Sequence, residues 1–119
     1  MKFTIEGDAV PQSRPRFTRN GHAYIPARSR QWREVVRRAA IEAMCGRAPM
    51  TGEVSLVVDV YRRFKPTARN FGDADNHLKQ VADALNGIAF ADDSQVVRIV
   101  AEKHRDKERP RIEVEILGE

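Results

Sequence analysis

Between Glu53 and Phe64 apolar side chains recur on alternate residues, Val54, Leu56, Val58 and Val60, with Val57 facing the other way. A period of two belongs to a strand with one buried face. Such a strand needs neighbours for its backbone hydrogen bonds and an apolar layer to cover it, so this chain must build a sheet and pack something against it. The expected place of 53–64 is central in that sheet. The covering pieces carry the helical period instead. Trp32, Val35, Val36, Ala39, Ala40, Ala43 and Met44 mark one apolar helix face, opened by Ser29 as a cap and closed by Gly46. Leu78, Val81, Ala82 and Leu85 mark a second helix that ends at Asn86-Gly87.

The rest of the chain fills out the sheet. Residues 2–6 alternate with Phe3 and Ile5 inward, 95–103 and 111–117 read as strands, and His104–Arg109 is the turn between them. Asn20-Gly21 fits a two-residue hairpin turn between 16–19 and 22–25. Strand, hairpin, helix, strand, helix, strand, strand predicts an α/β (α+β) fold: one small domain over residues 1–119, with a mixed sheet and two main helices packed against it.

Charge is concentrated rather than large. The net is +4, yet from Arg14 to Arg38 there are eight arginines (14, 16, 19, 28, 30, 33, 37 and 38) and one acid, Glu34. Such a patch neutralises phosphates and gives salt-sensitive affinity for nucleic acid, although a solvated helix face has the same composition. The arginines at 30, 33, 37 and 38 are expected to project away from the apolar stripe. The single cysteine, Cys45, excludes an intrachain disulfide. With no export signal and no apolar run of membrane-spanning length, the expectation is a cytoplasmic protein without a membrane partner.

Chemistry is expected in Gly72-Asp73-Ala74-Asp75-Asn76. In extended chain, carboxylates two residues apart point to the same side, where a hard cation can bridge them. Asp75 also falls at the second helix's start, whose dipole favours negative charge. A third acid has to come from Asp92 or Asp93. If the segment after the helix is stretched, its length just allows a return to the helix start. Three carboxylates favour Mg²⁺, with Mn²⁺ as a substitute, over zinc. Lys79 follows Asp75 by one helical turn, placed to meet a phosphate's developing charge. Each residue also has an ordinary reading: helix cap, turn acid, or an ion pair between Lys79 and Asp75.

The segments Asp73-Ala-Asp-Asn-His-Leu-Lys79, Asp83-Ala-Leu-Asn-Gly87 and Ala91-Asp-Asp-Ser-Gln-Val96 together resemble the RusA family of Holliday junction resolvases. The opening Val10-Pro-Gln-Ser-Arg-Pro-Arg16 is similar to that family's N-terminal region. The resemblance implies a metal-dependent crossover junction endodeoxyribonuclease with Asp73, Asp75 and Asp93 as catalytic metal-binding acids and Lys79 as catalytic lysine. Asp92 would be a supporting residue with a lesser claim as ligand. It further implies a homodimer acting on branched DNA, a four-way junction, in recombination and repair, with no small-molecule cofactor. His77 departs from the family pattern and is expected at the surface, as are His22 and His104. For DNA contact the candidates are Arg14, Arg16 and Arg19 by the hairpin, with Lys65 and Arg69 in the loop before the acids. Two other classes fit the same residues: a non-catalytic basic nucleic-acid-binding module, and a nuclease acting on flaps or forks.

Overall fold

The alternation at 54–62 becomes the middle of a sheet. In the computed structural model, which describes residues Met1–Gly118, strand β4 (Val54–Arg62) buries every even-numbered residue and half-buries every odd one. Strand β6 (Arg111–Gly118) pairs with it antiparallel on one side and β5 (Val96–Arg105) parallel on the other. Strand β1 (Lys2–Glu6) adds antiparallel to β6, giving the order β1-β6-β4-β5. Parallel neighbours need a crossover, and helix α2 (Ala74–Leu85) supplies it between β4 and β5. Helix α1 (Ala27–Met44) packs on α2 and β1. Both helices lie on the even-numbered face, where Trp32, Val36, Val81 and Leu85 join Leu56, Val58, Val114 and Ile116 in one core. Among the described residues no helix covers the opposite face.

A separate two-stranded ribbon, β2 (Arg16–Phe17) with β3 (Ala23–Tyr24), stands between β1 and α1. The hairpin is real but its turn is longer than a two-residue connection. The Thr18 N–H donates to the His22 carbonyl and the Gly21 N–H to the Thr18 carbonyl, with Gly21 at φ +80°. A four-residue turn closed by a glycine at positive φ is a common alternative.

Three other expectations are corrected. Ser29 does not cap α1: Pro26 is the cap, its carbonyl accepting from Ser29 and Arg30, and Ser29 is buried. Proline's fixed φ suits a helix start, which frees the serine hydroxyl for contacts elsewhere. Val35 is 43% exposed, because the stripe that meets the core is narrower, Ser29, Trp32, Val36, Ala40 and Met44. Strand β5 continues to Arg105, so His104 lies in a strand and not a turn. Among the described residues no helix is long and apolar enough to cross a membrane.

Candidate metal and phosphate site

Asp73 is the cap of α2, at φ −80° and ψ 144°, and its carbonyl accepts from the Asn76 and His77 N–H groups, each at 3.1 Å. An aspartate in this position ordinarily turns its carboxylate onto the first-turn N–H groups. Among the described residues no such side-chain bond forms, so the carboxylate is available to a ligand. Asp75 follows in the first turn, and both acids are exposed. The N-terminal end of the helix dipole favours their negative charge.

Next to them the opening loop is fastened to the helices. The Gln12 N–H donates to the Asn76 carbonyl at 3.0 Å, and the Ser13 N–H to the Ser29 hydroxyl at 3.5 Å. The same hydroxyl accepts from the buried Gln80 side chain at 3.0 Å, so one polar chain links loop, α1 and α2. Gln80 in turn accepts from Arg33 Nε at 3.2 Å. Arg33 and Arg37 therefore face α2, Arg37 donating to the Ala84 carbonyl, instead of projecting outward as the sequence suggested. The docked loop encloses a hollow of about 130 Å³ lined by Gln12, Ser13, Arg14, Pro15, Asn76 and Lys79. Two cations beside a helix N-terminus are a place for a phosphate. A larger hollow, about 230 Å³, lies between Met44 and Ile88, and no acid lines it.

Asp93 is elsewhere. It begins the 3₁₀ turn Asp93–Gln95 that leads into β5, where Val96 pairs with Val54 at the start of β4. Lys103, seven residues further along β5, donates to the Gly72 carbonyl at 3.1 Å and so marks the Asp73 end. Seven strand residues and a twelve-residue helix each span roughly 20 Å, so Asp93 and Asp73 lie at opposite ends of these elements within one chain. The segment after α2 does not return to the helix start. The Asn86–Phe90 turn closes tightly, with the Gly87 N–H donating to the Phe90 carbonyl at 2.8 Å and Gly87 at φ +81°.

Asp92 is committed to capping. Its carboxylate accepts from the Ser94 N–H at 3.2 Å while the Gln95 side chain accepts from the Asp92 N–H at 2.9 Å. Hydrogen bonds from the Ser94 side chain and backbone hold its carboxyl below the usual range. These two bonds form a capping box that closes the turn ahead of β5. Arg14, Arg16, Arg19, Lys65 and Arg69 are all exposed, as DNA contact requires.

The sequence misplaced two histidines. His77 is 1% exposed, with Nε2 donating to the Phe71 carbonyl at 2.8 Å, and burial pushes its pKa down to about 4. His104 stacks on Tyr61 and donates to Asp59 at 2.7 Å, with Glu102 at 3.7 Å. Asp59, Glu102 and His104 could hold a metal ion on the helix-free face, through one nitrogen and two oxygens. The His104–Asp59 bond also satisfies both groups without one. The signal for this cluster was available only in register: Asp59 pairs with Glu102 and Tyr61 with His104.

An acid pair at a helix start, joined to a basic hollow on an α+β sheet, defines a candidate phosphodiester-processing protein. The sequence model described as Endodeoxyribonuclease RusA matches residues 6–117, and the chain belongs to that endonuclease family. It is also similar to the Uncharacterized protein YqaN of Bacillus subtilis (strain 168), 35% identical over 136 residues that cover 98% of this chain and 94% of that protein.

Proposed function

We propose that the protein is a Mg²⁺-dependent, structure-selective endodeoxyribonuclease that works as a homodimer and resolves four-way DNA junctions by paired nicks. One observation carries this reading: Asp73 and Asp75, free of capping bonds among the described residues, lie beside the Arg14–Lys79 hollow at the start of α2. The donor set fits a hard cation, since it offers carboxylate oxygens and no thiolate or imidazole. A bound divalent ion would polarise a phosphate oxygen and lower the pKa of an attacking water. Arg14 and Lys79 grip the phosphodiester, with Lys79 placed where negative charge grows. Arg16, Arg19, Lys65 and Arg69 hold the flanking phosphates.

Asp93 completes the set from the partner subunit. Strand β5 is an edge of the sheet, and its Val97 and Ile99 are 61% and 54% exposed. An open, apolar edge favours pairing with a second copy. If two β5 strands pair antiparallel about a two-fold axis near Arg98 and Ile99, the Asp93 end of one meets the Lys103 end of the other. That end touches Gly72, so Asp93 of the partner subunit comes to Asp73 and Asp75. Two such sites per dimer suit two strands of like polarity. The free Cys45 supports a reducing cytoplasm as the compartment.

The direct test incubates a synthetic four-way junction with the protein, with and without Mg²⁺. Paired nicks should appear only with the metal, more slowly on flaps and hardly at all on plain duplex, and Asp75→Asn should bind without cutting. A parent protein that cuts nothing in Mg²⁺ or Mn²⁺ refutes the reading.

A further inference from the structure

The three residues that precede Asp73 are held with unusual care. Arg62, at the end of β4 and 6% exposed, donates from Nη1 to the Asn70 carbonyl at 3.0 Å and the Phe71 carbonyl at 2.7 Å. His77, from α2, donates to the same Phe71 carbonyl at 2.8 Å. Lys103, from β5, donates to the Gly72 carbonyl at 3.1 Å. Three successive carbonyls are thus fixed by basic side chains from three different elements. Below them Phe71 is fully buried, with the Arg62 and Lys103 cations 5.8 Å and 5.2 Å from its ring centroid. Gly72 has φ +90°, and a Cβ there would lie 2.9 Å from both His77 Nε2 and Pro11 Cγ.

A surface loop does not need this. Burying a guanidinium costs free energy, and here desolvation lowers the Arg62 pKa. What the arrangement achieves is orientation. The Gly72 carbonyl and the Asp73 N–H share one rigid peptide plane, so Lys103 fixes the plane that enters Asp73. The Asp73 carbonyl is fixed on the other side by Asn76 and His77. Asp73 is therefore restrained at both of its peptide bonds, while its carboxylate is left free among the described residues.

We infer that Arg62, His77 and Lys103 are positioning residues, a clamp on the backbone that presents Asp73, and through it Asp75, to the divalent ion. This rests on the proposed metal-dependent nuclease reading and extends it to residues outside the acid set. Loss of a supporting hydrogen bond behind a metal ligand typically weakens metal affinity roughly 10-fold to 100-fold. Lys103 is the practical probe, since it is only half-buried and methionine keeps its apolar stem against Phe71.

The experiment compares parent, Lys103→Met and Lys103→Arg, the last retaining a donor. Three quantities are read: Mn²⁺ affinity by calorimetry, Mg²⁺ half-saturation of junction cleavage, and junction affinity in EDTA. Lys103→Met should weaken both metal constants about 10-fold or more. It should leave EDTA binding near the parent value and recover most of its cleavage rate at saturating Mg²⁺. Lys103→Arg should restore the metal constants. A merely structural role would lower the melting temperature without moving them. If the parent binds Mn²⁺ and cleaves while Lys103→Met matches it in both constants, the clamp is refuted and the nuclease reading stands. A parent with no metal uptake and no cleavage refutes both.

Discussion

Lowering the pH should weaken this fold through one side chain, His77. The ring is 1% exposed, Nε2 is occupied by the Phe71 carbonyl, and Nδ1 has no partner among the described residues. Protonating Nδ1 would put a charge in an apolar space beside Arg62 and Lys103, and burial is the largest cause of the pKa falling from 6.5 to about 4. The folded pKa lies below the unfolded one, so the unfolded chain takes up the proton first. The stabilisation is fully present above pH 6.5 and is lost progressively as pH falls toward 4. At about 1.4 kcal/mol per pH unit, that window amounts to about 3 kcal/mol. Urea unfolding of parent and His77→Gln in EDTA, at pH 7 and pH 4 and equal protein concentration, isolates it. Glutamine keeps a donor for Phe71 but does not titrate, so its loss over this interval should be smaller by about 3 kcal/mol. Equal losses in the two proteins would refute the assignment of a buried neutral histidine.

Other consequences can be measured separately. Gly72→Ala forces a Cβ against His77 and Pro11 at φ +90°, and should cost about 1–3 kcal/mol in urea unfolding. Arg14→Ala should weaken junction binding across all sequences and reduce the salt slope of log K by about one, as loss of a phosphate contact does. Asp92→Ala loses the capping box at the start of β5 and should lower the melting temperature while cleavage persists. Asp93→Asn should do the opposite, and the reverse pattern would exchange the two roles.

Much of this architecture is legible in the sequence because period carries burial directly. Val54 to Val60 alternates in the chain and in the sheet, and the stripe from Trp32 to Met44 is the packed face of α1. Asp73, Asp75 and Lys79 do meet at one helix start, but Asp75 lies inside α2 and only Asp73 is extended, so the two-residue spacing does not align their carboxylates in the way extended chain would. Other features depend on contacts between distant segments. That β5 runs parallel to β4 on an open edge is a property of topology, and it decides that Asp93 and Asp73 lie at opposite ends of the layer. His77 sits at a position where a helix surface is expected, yet the Arg62–Gly72 loop folds over it and makes it core. Ser29 reads as a cap, but its hydroxyl serves Gln80 and Ser13, residues no local pattern connects to it.

A mixed dimer puts the shared site to the sharpest test. Asp75→Asn and Asp93→Asn homodimers should each be inert, since every site in either lacks one acid. When the two variants are mixed so that subunits exchange, one site of each mixed dimer collects both substitutions and the other collects none. Nicking of a single junction strand should then reappear in Mg²⁺. If exchanged mixed dimers form and stay as inactive as their parents, the acids do not meet across the two-fold axis and the account of the site is wrong.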